Sequence, residues 1–245
     1  MATVVEQSMM AGAVMAGAAM AEGGLMLSEG DIPWIGGLSM RRPVNRRASK
    51  RTLTIYDWDD TFLPSTEMVQ RGIGEVVDDP SLITPEFRAK LNAIEERGLQ
   101  LLERSVKYGP VIVVTNSVTG WVERSGAMFL PRVLDFFQKH SIRIVSARSR
   151  YQAYCRPIEW KVHTFHDELK ETFQTLEGVQ LVVIGDGISE IVAAKSLKQT
   201  YKYVTVKTVK LAEMPTSRTM ASQLEHVESS IDRIVEQENS MELVL

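Results

Sequence analysis

The stretch "TLTIYDWDDT", residues 52–61, joins an apolar, β-prone run directly to three carboxylates. The run predicts a buried strand over residues 53–56, so Asp57 is the residue at which that strand ends. Carboxylates that share one site repel each other unless a cation neutralises them or one of them keeps its proton. The close spacing of Asp57, Asp59 and Asp60 therefore indicates either a solvated acidic turn or a cation site.

Four further short apolar runs follow along the chain, and helical patterns separate them. The runs cover residues 111–114, 142–145, 181–184 and 203–206. Because they are mostly apolar and continuous, they predict strands that are covered on both faces, as in parallel sheets. The helical patterns follow the start signal Thr84-Pro85 and cover residues 121–128, 133–140, 160–176 and 189–197. This alternation predicts an α/β fold with a doubly wound, mainly parallel five-stranded sheet.

The composition divides the chain into three parts. Residues 1–51 are rich in Met, Ala and Gly without a sustained period, which predicts a flexible N-terminal arm. The end of this arm, residues 41–51, is a basic collar with six Lys or Arg side chains and no acid. Residues 52–210 hold the predicted α/β domain. Residues 211–245 predict a loop and an amphipathic helix, which either packs onto the domain or forms a self-association seam.

Composition and charge also bound the class of protein. The net charge of −3 gives no overall positive field for nucleic acid. The apolar run at residues 9–20 is too short and glycine-broken to span a bilayer, and no basic segment leads it as in a signal peptide. Cys155 is the one cysteine, so no disulfide forms within this chain, which favours a reducing compartment. We expect a cytoplasmic or nuclear protein without membrane or nucleic-acid partners, present as a monomer or weak dimer.

Polar residues follow two further strands at the point where each strand ends. "VIVVTNS", residues 111–117, ends with the hydroxyl of Thr115 and the amide beside it. "LVVIGDGISE", residues 181–190, ends with Asp186 between two glycines. Because the carboxyl ends of parallel strands meet at one edge of a sheet, we expect these groups to lie near the first carboxylate cluster.

A helix adds a cation to this set of groups, because "EWKVHTF", residues 159–165, puts Lys161 near its start. An aspartate pair ("DWDDT"), a Thr, a Lys and a Gly-Asp ("GDGISE"), in this order at successive strand ends, resembles the haloacid dehalogenase (HAD) superfamily. The resemblance runs from about Thr52 to Val206 and covers four sequence motifs. Its specific part is the D-x-D-x-T motif joined to the late "GDGISE".

The resemblance implies a Mg²⁺-dependent phosphatase in which residues 52–210 are the catalytic domain. Asp57 corresponds to the nucleophile that becomes an aspartyl phosphate, and Asp59 to the general acid/base. Thr115 corresponds to the hydroxyl that binds the transferring phosphoryl group, and Lys161 to the cation that offsets its charge. Asp186 corresponds to the acidic ligand of magnesium, alongside a carboxylate oxygen of Asp57 and the backbone carbonyl of Asp59.

The chemistry of these residues agrees with that assignment, although each residue has a plainer alternative. Magnesium binds one or two carboxylates with water and phosphate oxygens, and release of an alkoxide needs a proton donor. Taken alone, Thr115 is compatible with a helix cap and Asp186 with an ordinary turn. Lys161 is compatible with a solvated charge on a helix, and Lys170 is a second candidate for the role of the cation. Glu190 stands where the family more often has Asp, so its role is left open.

Short connections bear on the substrate. Residues 62–83 and 147–159 occupy the positions at which family members insert a cap domain, and both are short here. We therefore expect no cap domain and an open site for a small, bulky or protein phosphomonoester. Asn116 and Arg148 are predicted to bind the substrate, Arg148 through a bidentate contact, with a plain surface arginine as its alternative.

Two other functions stay open: a catalytically idle binding module on this fold, and a phosphotransferase that uses the same residues. The side-chain alternation of the chain predicts that Asp57 and Asp59 lie on one side and Asp60 on the other, where it hydrogen-bonds the following segment. Trp58 is expected to pack under that segment, and Trp121 to line the mouth of the site.

Overall fold

A six-stranded, wholly parallel sheet organises the computed structural model, which describes residues 51–73 and 83–245. Its strands are β1 (Thr52–Tyr56), β2 (Val111–Thr115), β3 (Arg143–Ser146), β4 (Gln180–Gly185), β5 (Thr205–Lys210) and β6 (Met241–Val244). They lie in the order β3-β2-β1-β4-β5-β6, so the chain leaves the central strand β1 in both directions, as in a Rossmann-like fold. The predicted α/β class and parallel sheet are confirmed. The predicted flexible arm, apart from its last residue, lies outside the described residues.

Eight helices connect the strands within the described part of the chain. They are α1 (Ser65–Gln70), α2 (Pro85–Ser105), α3 (Trp121–Phe129), α4 (Pro131–Lys139), α5 (Ala147–Tyr151), α6 (Pro157–Thr172), α7 (Ile188–Thr200) and α8 (Ser217–Glu236). The predicted start signal of α2 is confirmed, because the Thr84 hydroxyl accepts a 3.2 Å hydrogen bond from the Phe87 amide. Pro85 occupies the first helical position, where its missing N–H costs nothing.

The predicted number of five strands is wrong, because β6 pairs in parallel with β5 at the edge of the sheet. Its four residues, "MELV", are too few to give a periodic signal. The fifth strand also lies later than the predicted residues 203–206. The buried Lys207 in its middle interrupts the apolar run, and its ammonium group donates to Gln180 Oε1 and Val235 O, each at 2.7 Å.

The helices cover both faces of the sheet, which is why the central strands are mostly apolar and buried. Leu53 and Ile55 of β1 pack on one face with side chains from α6 and α7. Tyr56 points to the other face, where α2, α3, α4 and α8 lie. The alternation of β1 therefore contributes to two hydrophobic cores, as a doubly wound sheet requires.

The C-terminal amphipathic helix α8 packs onto the domain, which was one of the two alternatives for it. Its apolar stripe is buried at Met220, Leu224, Val227, Ile231 and Ile234. On the neighbouring helix α2, Arg104 forms ion pairs with Glu228 and Asp232 of α8. The apolar stripe of α8 is therefore buried inside the domain.

The two connections considered for a cap domain stay short where the structure describes them. Up to residue 73, the segment after β1 forms a turn and α1, and the segment after β3 forms α5 and a turn before α6. In the described residues, no helix combines the length and the apolar character needed to cross a membrane.

The register of β1 brings the ends of β2 and β4 to the level of Asp57. Tyr56, the last residue of β1, pairs with Val113 on one side and Ile184 on the other. Gly109, just before β2, helps to set this register, because its φ of +151° lets the chain pass close to the Thr52 carbonyl. A Cβ atom on Gly109 would clash with that carbonyl oxygen.

We expect Gly109→Ala to lower the free energy of unfolding by roughly 3 kcal/mol, since it adds a backbone clash to an unfavourable φ. The matched control is Gly178→Ala, whose φ is +67° but whose Cβ would meet no atom within 4 Å. It should cost only about 1–2 kcal/mol. Urea unfolding of both variants measures the difference, and equal losses would contradict the proposed close approach.

Candidate active site

A buried lysine lies between two carboxylates at the carboxyl edge of the sheet. Lys161, in the second turn of α6, is 1% exposed, and its Nζ lies 2.8 Å from Asp57 Oδ1. The same ammonium group forms an ion pair with Glu190. The structure thus places Lys161 against the predicted nucleophile and not in solvent, whereas Lys170 is exposed.

Burial and charge act in opposite directions on this group of residues. Burial lowers the pKa of Lys161, but the charges of Asp57 and Glu190 and their hydrogen bonds outweigh it and raise the pKa above its ordinary value. Burial raises the pKa of Glu190, and the charge of Lys161 outweighs it, so this pKa is lowered. For Asp57, burial dominates and raises its pKa well above the ordinary value, helped by the nearby charges of Glu190 and Asp186 and opposed by Lys161.

Glu190 fits into this site because two glycines leave room for it. A Cβ atom on Gly185 would lie 2.8 Å from Glu190 Cγ, and one on Gly187 would lie 2.5 Å from Glu190 Oε2. Glu190 Oε1 binds Lys161, while its Oε2 is buried without a hydrogen-bond partner. The "GDG" stretch therefore provides clearance for a longer acid, and Glu190 is a second partner of Lys161.

Donors from the loop after β2 and from α3 hold the Asp59 carboxylate. Trp121 Nε1 donates to Asp59 Oδ1 at 2.9 Å, and Ser117 Oγ donates to Oδ2 at 2.8 Å. Thr115 Oγ1 makes a longer contact of 3.4 Å with the same Oδ2. No signal in the sequence indicates Ser117 as a partner of Asp59, and Trp121 is predicted only at the mouth of the site, although both lie within six residues of Thr115.

Thr115 ends β2 in a fully buried position, 1% exposed. Its hydroxyl accepts a 2.9 Å hydrogen bond from the Ser117 amide, so the local turn role considered for it is also present. The carbonyl of Ser117 accepts from Ser146 Oγ at 2.6 Å, which ties this loop to the end of β3. The hydroxyl therefore sits on a loop that both strands hold in place.

Asp186 follows β4 and completes the predicted set of acids. Burial is the main cause that raises its pKa to about 8; the charges of Glu190 and Asp60 act in the same direction, and Lys161 opposes them. The implied magnesium set contains two carboxylate side chains, Asp57 and Asp186, and the backbone carbonyl of Asp59. Because this set has only two side-chain ligands, it does not form a cluster of three or more His, Cys, Asp or Glu side chains. Residues 51–73 and 83–245 contain no such cluster.

The donors nevertheless suit magnesium. They are oxygen atoms, and the buried Oε2 of Glu190 next to them lacks a partner. Burial is the largest cause of the raised pKa values of Asp57 and Asp186, and the charge of Glu190 adds to both. A divalent cation would relieve this repulsion between neighbouring carboxylates. The residues present therefore fit a Mg²⁺ ion.

Asp60 hydrogen-bonds the segment after β1, as predicted, although its charge still lies close enough to raise the pKa of Asp186, and Trp58 is buried. Asp60 Oδ1 accepts from the Thr66 amide at 2.9 Å and from Ser65 Oγ at 3.3 Å, so this side chain holds the start of α1. Its own φ of +52° turns the chain at that point. The indole of Trp58 is buried in the core and donates to Ser125 Oγ at 3.0 Å.

The two predicted substrate-binding residues lie in the connections that follow β2 and β3 at this edge. Asn116 Oδ1 is buried without a hydrogen-bond partner. Arg148 lies in α5, where its Nε donates to Gln152 Oε1 at 3.3 Å and its guanidinium lies 5.9 Å from the ring centre of Trp160. The geometry leaves their substrate-binding roles as predictions.

Comparison of the chain with protein-family models, with curated proteins and with solved structures gives no significant match. The geometry of the site and the motifs in the sequence are therefore the observations that bear on function.

In the metal-free protein, the raised pKa of Asp186 should make stability depend on pH. The folded state keeps this proton up to about pH 8, whereas the unfolded state loses it near the ordinary pKa of 3.8. The folded state thus binds more protons in this window, and the free energy of unfolding should fall as the pH rises through it. Asp186→Asn should remove that part of the slope.

Urea unfolding in the presence of a chelator, at about pH 5 and about pH 9, measures this effect. Asp135→Asn, at an exposed position of α4, is the matched control and should keep the slope of the unaltered protein. An Asp186→Asn variant with an unchanged slope would show that this carboxyl group does not hold its proton in the folded state.

Proposed function

We propose that this chain is a Mg²⁺-dependent phosphohydrolase of the haloacid dehalogenase type, which acts through an aspartyl phosphate on Asp57. The observation that carries the proposal is the buried contact of 2.8 Å between Lys161 and Asp57. It lies at the edge where Asp59 has its own set of donors. A nucleophilic carboxylate, a fixed cation and a second carboxylate for proton transfer are the groups that phosphoryl transfer to an aspartate needs.

Magnesium would be held by Asp57, Asp186 and the backbone carbonyl of Asp59. When bound, the ion supplies positive charge that offsets the carboxylates and the phosphate oxygens. The chain's own residues contribute the remaining charge, because Lys161 is positively charged at neutral pH. The Thr115 hydroxyl contributes a hydrogen bond to the phosphoryl group.

The reaction has two steps on these residues. An oxygen of Asp57 attacks the phosphorus and the bond from phosphorus to the substrate oxygen breaks, while Asp59 gives its proton to that oxygen. In the second step, Asp59 takes a proton from water as the water oxygen attacks the same phosphorus. The bond from phosphorus to Asp57 then breaks and releases inorganic phosphate.

The short connections around the site support a substrate class that includes bulky or protein phosphomonoesters as well as small ones. On the substrate side, the unpartnered Asn116 Oδ1 accepts a donor from the substrate, and Arg148 binds a phosphate or carboxylate group. The mildly acidic chain with its single thiol supports a cytoplasmic location, with a nuclear one as the alternative.

The two alternatives differ from this proposal in their products. A phosphotransferase would use the same two steps with another acceptor in place of water. A catalytically idle module would have no use for the donors that hold Asp59. Beryllofluoride with magnesium mimics a phosphoryl group on the aspartate, and Asp57-dependent binding of it would argue against the idle module.

The first test is hydrolysis of an aryl phosphate with and without a chelator. We expect turnover that depends on Mg²⁺ and that falls by roughly 10³-fold or more in Asp57→Asn, because this change removes the nucleophile. Turnover that survives either treatment would refute the proposal. Release of inorganic phosphate, measured with and without added alcohols, separates hydrolysis from transfer to another acceptor.

The second test is thermal unfolding across a magnesium titration. A ligand at about 100 times its Kd stabilises the folded state by about 2.7 kcal/mol, which raises Tm by roughly 5–10 °C for a chain of this size. We expect this rise in the unaltered protein and a much smaller one in Asp57→Ala, which should start from a lower Tm because the buried Lys161 loses one of its two carboxylate partners. Asp135→Ala is the control and should keep the full rise; equal shifts in Asp57→Ala would exclude this carboxylate from the metal site.

A further inference from the structure

The Asp59 carboxylate is held by donors of two different kinds. Its Oδ1 accepts from the indole nitrogen of Trp121 at 2.9 Å, and its Oδ2 accepts from the hydroxyl of Ser117 at 2.8 Å. An indole nitrogen can only donate a hydrogen bond, whereas a hydroxyl can donate or accept. The two oxygens of Asp59 are therefore chemically distinct in this site.

This difference decides which oxygen of a protonated Asp59 carries the proton. On Oδ1 the proton would face the Trp121 N–H, where two donors would meet. In the observed orientation the proton is accommodated on Oδ2, because the Ser117 hydroxyl can turn round to accept it. The transferable proton of the proposed general acid is thus directed to one side of the carboxyl group.

Trp121 is itself held firmly enough to act in this way. Its side chain is 7% exposed, and it begins α3 directly after Gly120, which has a φ of +86°. Its carbonyl accepts from Ser125 Oγ at 2.7 Å, and the same hydroxyl accepts from the indole of Trp58 at 3.0 Å. Trp58 is the residue between Asp57 and Asp59, so Ser125 joins the helix that carries Trp121 to the strand end that carries the acids.

We infer that Trp121 is a positioning residue for proton transfer by Asp59. The inference rests on the proposed function and adds to it a residue outside the four motifs of the resemblance. Trp121 acts through Asp59 and touches no reacting atom. Its removal should therefore affect the step that needs a proton, and should leave the attack by Asp57 largely unchanged.

The test compares two aryl phosphates in Trp121→Phe, which keeps a buried ring but lacks the N–H donor. Phenyl phosphate has a leaving group that needs a proton, whereas 2,4-dinitrophenyl phosphate has one that departs without it. General acid catalysis contributes roughly 10²–10⁴-fold, so we expect kcat/KM for phenyl phosphate to fall by roughly 10–100-fold. For 2,4-dinitrophenyl phosphate the fall should stay below about threefold.

Tyr108→Phe is the matched control, since it also removes an aromatic donor to an aspartate, the 2.7 Å bond from the turn after α2 to Asp232 of α8. It should leave both values of kcat/KM unchanged. Equal losses on the two esters in Trp121→Phe would overturn the positioning role, because a merely structural residue would affect both. An unaltered protein without Mg²⁺-dependent turnover would instead overturn the proposed function, and the role of Asp59 as an acid with it.

A spectroscopic measurement tests the contact itself without activity and without the Phe variant. The ¹H–¹⁵N resonance of the Trp121 indole is expected far downfield in the unaltered protein, because its proton points at a carboxylate. Asp59→Ala should move it upfield, whereas Asp135→Ala should not. An indole resonance that is insensitive to Asp59→Ala would overturn the inference even if the enzyme is active.

Discussion

The ammonium group of Lys161, buried between Asp57 and Glu190, is the interaction on which the site depends. Bringing a charged group out of water costs several kcal/mol, which only close partners of opposite charge offset. Removal of one partner from such a group costs about 3–5 kcal/mol, since it leaves an uncompensated charge in the interior. The three residues come from β1, α6 and α7, so their contact also fixes how both helices meet the end of the central strand.

A second buried lysine shows what this charge pairing achieves. Lys207 of β5 donates to a side-chain amide and to a backbone carbonyl, which are neutral acceptors. Burial therefore lowers its pKa to about 8. Lys161 is as deeply buried, but its carboxylate partners raise its pKa. The fold thus tolerates a buried lysine in two ways, and only the one at the carboxyl edge keeps a secure positive charge next to a proposed nucleophile.

Three neighbouring acids follow β1, and each has a different environment. Asp57 faces Lys161, Asp59 is held by the donors of the β2 loop and α3, and Asp60 binds the start of α1. The hydrogen bonds of Asp60 to the start of α1 hold the third acid apart from the partners of the first and second. The packing of two connections then separates the first from the second. Asp57 and Asp186, both near the charge of Glu190, are the acids that the proposed cation would neutralise.

Local signals were sufficient for much of this architecture. Continuous apolar runs predicted the parallel strands, and the Thr84-Pro85 signal predicted the start of α2. The order of the strand ends predicted which residues reach the carboxyl edge of the sheet. These features are encoded within a few adjacent residues, so they survive without knowledge of the tertiary contacts. The acid at Asp57 was predictable for the same reason, because it is the first polar residue after a buried strand.

Other features were decided only by the tertiary structure. Strand β6 is too short to have a signal of its own and exists because β5 offers an unpaired edge. The shift of β5 arises because the buried Lys207 finds acceptors on β4 and α8. Likewise, Glu190 is a partner of Lys161, and Trp121 of Asp59, through contacts between residues 29 and 62 positions apart. Sequence spacing determines which groups reach the edge of the sheet, but which of them touch depends on how the helices pack against it.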